Sequence, residues 1–161
     1  MAIGYSVLIK DKKLTKEILI RKFEEMGYTC AQIEDLPKGI NIDLNAKLGY
    51  SVYLIDAGSY PYNGWQSNFS ETEFVFERTL GFRFDKEYED LEKRYKTMLS
   101  VIFDLILDMD EEAIFISNGD TELCLFEHDK KICLNNKSEI WNRNYFKDAI
   151  VGKNVSYFVP R

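Results

Sequence analysis

The sequence predicts an α+β fold: a mainly antiparallel sheet with one long and two shorter helices packed on it. Three observations carry that reading. Apolar residues recur at steps of three and four from Tyr88 to Leu105, the period of one buried helix face. Three short apolar runs between Ala113 and Leu134 are separated only by "NGD" and "EHDK". Such connections are long enough for hairpins and too short for the crossovers a parallel sheet needs. Strand-like runs and helices are also grouped rather than alternating one for one.

Along the chain, Ile3, Tyr5, Val7 and Ile9 alternate as a half-buried strand does. Thr15 is placed to cap a helix whose Ile18, Leu19, Phe23 and Met26 share one face, and Gly27 to end it in the left-handed conformation. A short strand is expected around Tyr28–Ile33, with "EDLPKG" as a turn. "INIDLNAKLGYSVYLIDAG" reads as two strands joined at Asn45–Gly49. "SYPYNGWQSNF" reads as a loop, with Pro, Gly and Asn among four aromatics.

Thr72–Phe84 alternates, with Phe74 and Phe76 continued by Leu80, Phe82 and Phe84, and Gly81 marks a bulge or bend. Asp85 is expected to cap the long helix, with Glu87, Glu89 and Asp90 at the positive end of its dipole. The stripe Tyr88, Leu91, Tyr95, Met98, Ile102 and Leu105 defines its buried face. Strands follow at Ala113–Ser117, Glu122–Phe126 and Lys131–Leu134, then a helix over Trp141–Ile150 capped by Ser138. "VSYFVP" is left as a strand or an extended segment.

At 161 residues, 45% apolar and 30% charged, the chain has the length and balance of one globular domain spanning 1–161. No window approaches 18 uninterrupted apolar residues, so no membrane-spanning helix is expected. The charges of "MAIGYSVLIKDKK" follow its apolar run, the reverse of a secretory signal, so the expected location is the cytoplasm. Cys30, Cys124 and Cys133 lack metal-ligand spacing and suit a reducing compartment as small apolar residues. His128 is the single histidine, which rules out a multi-histidine zinc site.

The net charge is −6, and its placement is informative. Glu71 to Glu112 holds thirteen acids and six bases, while the rest holds fourteen and fifteen. That argues against direct nucleic-acid binding through clustered cations; the acidic block serves solubility alone or suits a partner with a basic surface.

Several catalytic readings fail on spacing. Asp108-Met109-Asp110 resembles the nucleophile pair of magnesium-dependent phosphotransferases, which stands at the end of a parallel strand with Thr or Val two residues on. Here that position is Glu112, and the preceding run belongs to the helical stripe. Cys124 near His128 lacks a third group to orient the imidazole. "NGD" is too short to cradle phosphate. No cofactor is called for. Tyr60, Tyr62, Trp65 and Phe69 crowd one loop, where they either cover the core or recognise a protein.

The last third resembles a known family. "AIFISNGDTELCLFEHDKKICLNNKSEIWNRNYFKDAI", with "MLSVIFDLILDMDEEA" and "FRFDK" before it, is similar to the Sit-type immunity proteins of bacteria. The likeness is fair over Phe82–Ile150 and only in outline elsewhere. It implies a protein that protects a cell from a contact-exchanged toxin by binding the cognate toxin domain, without catalysis. The resemblance transfers no binding residues. The expected surface is therefore built from the acidic block (Glu71, Glu73, Glu77, Asp108, Asp110, Glu111, Glu112) and the aromatic loop (Tyr60, Tyr62, Trp65). Two alternatives stay open: an adaptor that recruits another cellular protein, and a magnesium phosphohydrolase using Asp108 and Asp110.

Overall fold

A computed structural model of the chain describes residues 3–158. Its first half runs β1 (Gly4–Ile9), α1 (Lys16–Glu25), β2 (Ile33–Leu36), β3 (Gly39–Leu44), the single turn α2 (Asn45–Leu48) and β4 (Tyr50–Asp56). Two short strands, β5 (Gly64–Trp65) and β6 (Phe74–Val75), precede β7 (Arg78–Phe84) and the long helix α3 (Leu91–Met109). Then come β8 (Ala113–Ser117), β9 (Thr121–Glu127), β10 (Lys131–Asn135), a 3-10 turn (Glu139–Asn142), α4 (Asn144–Ala149) and β11 (Asn154–Phe158).

Nine strands form one sheet in the order β11-β10-β9-β8-β1-β7-β4-β3-β2. Every pairing in it is antiparallel except β10 with β11. The α+β architecture read from the sequence is thus the one observed.

One face of this sheet carries Tyr5, Val7 and Ile9, flanked by Val52, Leu80, Phe82, Phe84 and Phe115, all buried in the main core. Leu19 and Phe23 of α1, and Met98, Val101, Ile102 and Ile106 of α3, close over them. Each such side chain contributes about 1.5–3 kcal/mol by leaving water, before entropy is charged against it. An aromatic cluster joins α4 to the sheet centre: the ring of Tyr5 lies 5.2 Å from Phe84 and 5.9 Å from both Phe115 and Phe146.

Local signals explain most boundaries. Thr15 Oγ1 accepts from Ile18 N at 3.3 Å, and Gly27 has φ +93° past the end of α1. Gly49 (φ +78°) ends α2, the connection expected at Asn45–Gly49. Asn118 and Gly119 in one meander turn, and Asp129 and Lys130 in the other, have positive φ, as tight antiparallel turns require.

Four expectations are corrected. The long helix starts at Leu91 and is capped by Asp90, which accepts from Lys93 N at 3.1 Å. Asp85 instead accepts from Glu87 N in a preceding turn, and Tyr88 leaves the helix to donate its hydroxyl to Lys47 O at 2.8 Å. The strand expected at Tyr28–Ile33 begins only at Ile33, so Glu34–Leu36 of "EDLPKG" is strand and the turn shrinks to Pro37–Lys38. Charged residues belong there because β2 is a sheet edge.

Gly81 is neither bulge nor bend: its pairing with Ser6 and Tyr53 is regular, and the Tyr53 ring occupies the space where a Cβ would stand. The last helix is broken in two, since Arg143 is extended (φ −87°, ψ 150°) between the 3-10 turn and α4, and Ser138 makes no capping bond. Within the "VSYFVP" tail, residues up to Phe158 form the end of β11, and the last two lie outside the described residues.

Candidate functional site

The sheet's second face carries the aromatic loop and part of the acidic block. Leu8, Ile114 and Ile116 are buried on it beneath Trp65, Phe74 and Phe76. The segment from Ala57 to Glu77 therefore lies across β1, β8 and β9, and the alternation of Phe74 and Phe76 serves this layer rather than the main core. The loop aromatics divide. Trp65 packs inward, and Phe69 lies 5.4 Å from Phe158, whereas Tyr60 and Tyr62 are 66% and 85% exposed.

A β-bulge places the residue that holds this loop. Phe115 pairs with Cys124 but Ile116 pairs with Glu122, so Leu123 is the extra residue. Leu123 and Cys124 both join the core, while Glu122 is aimed at the loop. The carbonyls disturbed by the bulge find side-chain donors: Asn135 Nδ2 bonds Glu122 O at 2.8 Å and Trp141 Nε1 bonds Leu123 O at 2.9 Å. The Glu122 carboxylate, 4% exposed, accepts from Ser67 Oγ at 2.6 Å and from Asn68 N at 2.8 Å. Sequence reasoning missed Glu122. The available signal was a single acid at the start of an otherwise apolar strand run, "ELCLF".

Between the loop and the β9–β10 turn lies a cleft of about 720 Å³ lined by Lys10, Phe69, Glu73, Glu112, His128 and Lys131, among others. Lys10 Nζ contacts Glu112 Oε2 at 2.7 Å. His128 reaches toward two acids: Nδ1 lies 3.1 Å from the backbone carbonyl of Asp110 and 3.9 Å from its carboxylate, and Nε2 lies 3.7 Å from Glu112 Oε1. Asp110, left-handed with φ +51°, ends α3, and its carboxylate accepts from Lys130 N at 3.2 Å. The end of α3 is thereby tied to the β9–β10 turn. These contacts are partly solvated, so each is worth at most about 1 kcal/mol.

The ten residues expected at an interface are thus distributed unevenly. Glu73 and Glu112 line the cleft and Asp110 adjoins it. Glu73 also accepts from Gln66 Nε2 at 3.1 Å and packs over Gly64, and its hydrogen bond and charge push the Tyr60 hydroxyl up from its ordinary value. Glu71 and Glu77 are exposed on the same segment. Asp108 is exposed on the other side of the Lys130 turn, in a groove with Asp104, Leu107 and Lys153.

Glu111 is only 1% exposed and faces inward. Burial, then Asp11, push its carboxyl above the ordinary value, opposed by Lys13 and by the backbone N–H groups of Asp11 and Lys13. Neither of its oxygens makes a well-formed hydrogen bond. It lies against the β1–α1 loop, beside Asp11 and Lys13.

The alternative chemistries can be located too. Asp108 lies in the last turn of a helix and Asp110 caps it, so neither ends a parallel strand. Among the described residues, no group of three or more His, Cys, Asp and Glu is arranged to hold a metal ion. Cys124 is fully buried in the core and its thiol is pushed up by burial, while His128 stands on an exposed turn. Among the described residues no helix is long and apolar enough to cross a membrane.

What the geometry defines is a twin-layered α+β protein that presents tyrosines and carboxylates from a loop clasped to its sheet. The family follows from the chain itself: the model of the SitI3-like family matches residues 3–144, and the chain belongs to that family. The match supports the Sit-type immunity resemblance seen in the C-terminal third and extends it through β1, ending within the first residue of α4. No curated protein and no solved structure matches the chain.

Proposed function

We propose that this protein is an immunity protein: it binds a cognate toxin domain delivered between neighbouring bacteria and neutralises it in the cytoplasm, without catalysis of its own. The single observation that carries this is family membership over residues 3–144. One main core draws on residues from Tyr5 to Phe146, which supports reading residues 1–161 as one immunity-type domain.

The proposed contact surface is the outward part of the clasped loop and the cleft beside it. Tyr60 and Tyr62 offer amphipathic area at low entropic cost, the usual chemistry of interface anchors. Glu73 lies beside Tyr60, Glu71 and Glu77 are exposed on the same segment, Glu112 and Asp110 stand at the cleft, and Asp108 lies beyond the β9–β10 turn; together they form the proposed acidic rim. This rim suits a toxin domain with a basic face, which it would draw in at long range.

The test is co-expression with the toxin domain encoded beside the gene, scored by cell survival and by binding of the purified pair. Tyr60→Ala/Tyr62→Ala is expected to weaken binding by about 2–4 kcal/mol, typical of paired hot spots, while the fold is retained. Reversing Glu77 and Asp108 to lysine is expected to slow association and flatten its salt dependence. A chain that neither protects cells nor binds the toxin domain refutes the function. Binding that survives all four substitutions refutes only the surface.

A further inference from the structure

The two edges of the nine-stranded sheet are built differently. β2 is four residues long with Glu34 and Asp35 at its centre, and Pro37 follows it. Every antiparallel self-pairing centred on those two residues sets carboxylates opposite one another, which is destabilising. At the other edge, β11 carries no charged side chain from Asn154 to Phe158.

The backbone of β11 is poised for a neighbour. Phe158 O accepts from Asn136 N at 2.8 Å, on the β10 side. Alternation along the strand therefore turns the N–H and C=O groups of Val155 and Tyr157 away from the sheet. Tyr157 is 65% exposed, and Val151, just before the strand, is 70% exposed. β11 also lies beyond the residues matched by the family, 3–144.

We propose that this edge pairs with the same edge of a second copy of the chain, antiparallel about a two-fold axis at Ser156, joining the two sheets into one. In that register Val155 of each copy stands opposite Tyr157 of the other, a β-branched and aromatic pair of the kind that stabilises adjacent strands. The outward groups of these residues close about four backbone hydrogen bonds across the axis. The contact is isologous and closes on itself, and the acidic β2 edges prevent further growth. Five residues a side form less than a standard interface, so the dimer is concentration-dependent.

A cysteine trap reads the register directly. Cys30 and Cys133 are first replaced by serine, because Cys133 stands beside Ser156 in the β10–β11 pairing and would compete for it. In that background Ser156→Cys brings two thiols to a Cα separation of about 4.5 Å across the axis, within the span of a disulfide. Asn154→Cys is the control, since its symmetry mate is displaced by roughly 14 Å along the strands.

The expected result is covalent dimer forming at least tenfold faster from Ser156→Cys than from Asn154→Cys under mild oxidation. Sedimentation of the unmodified chain is expected to show a dimer growing in between micromolar and millimolar protein. Ser156→Lys, which sets two ammonium groups at the axis, is expected to abolish it with thermal unfolding unchanged. A monomer throughout that range, equal cross-linking of the two cysteine variants, or a dimer indifferent to Ser156→Lys each overturns the proposal.

Discussion

Removing the Glu122 carboxylate tests whether the aromatic loop is a docked layer or merely a covering that drapes where apolar contacts allow. Glu122→Ala deletes two acceptor bonds, from Ser67 Oγ at 2.6 Å and Asn68 N at 2.8 Å. A bond to a charged group contributes about 1.5–3 kcal/mol net. Both donors are only part-buried and regain some water once the carboxylate is gone. The apolar contacts of Trp65, Phe74 and Phe76 remain. The expected loss in loop docking is therefore about 2–4 kcal/mol, less than the two bonds summed at their upper values.

Amide hydrogen exchange resolved along the chain is the appropriate assay, because the loop can open while the sheet stays closed. Protection of amides between Asn63 and Phe76 is expected to fall by about thirty- to several-hundred-fold, the equivalent of that energy. Amides of β4 and β7 are expected to change little. Glu122→Gln, which keeps one acceptor oxygen, is expected to show about half the effect in energy. Exchange in the loop within threefold of the unmodified chain in Glu122→Ala would refute the clasp.

Three further outcomes follow from other buried groups. Arg94 is 7% exposed, with its guanidinium 4.3 Å from the Phe84 ring and Nη1 donating to Asp85 O at 2.7 Å. Arg94→Lys keeps a buried charge but loses the planar stacking, so urea unfolding is expected to show a loss of about 1–3 kcal/mol, more than Arg94→Met loses. Gly81→Ala forces the Tyr53 ring from its seat at a cost of about 1–3 kcal/mol, and a double-mutant cycle with Tyr53→Ala is expected to recover part of it.

Glu111 gives a pH signature. A folded carboxyl held above its ordinary value near 4.5 contributes stability that is complete below that value and is lost as pH rises through the raised one. Glu111→Gln is therefore expected to gain on the unmodified chain in denaturant titrations as pH rises from about 4 to 7. A constant difference across that window would refute it.

Much of the fold was legible because several of its signals are local. Met98, Ile102 and Leu105 repeat at helical spacing and are buried, and the turns at Asn118–Gly119 and Asp129–Lys130 follow from residues that tolerate positive φ. The failures share a different cause. Tyr88 keeps the helical period but belongs to a turn, since spacing does not register that its hydroxyl has a partner at Lys47, 41 residues away. Glu34–Leu36 lacks apolar alternation because an edge strand meets water, and its strand character comes only from pairing with β3.

The site was less legible than the fold. Tyr60, Tyr62 and Trp65 look alike in sequence, and which of them faces out is decided by the distant patch of Leu8, Ile114 and Ile116. Glu111 and Glu112 are adjacent acids with opposite fates, one sealed under the β1–α1 loop and one paired with Lys10 at the surface. Charge counting treats them as equal.

The position of β1 has a consequence for how the molecule is made. Strands β2, β3, β4 and β7 form one ladder and β8 to β11 another, and within the sheet they are joined only by β1 between β7 and β8. Of the described strands β1 is synthesised first, yet its second neighbour is complete only at Ser117. At bacterial-to-eukaryotic synthesis speeds that wait is about 5–20 s, during which the keystone has at most one side engaged. A substitution that weakens β1 would accordingly loosen the sheet along its middle, where the shared core still spans the two ladders, rather than fray an end.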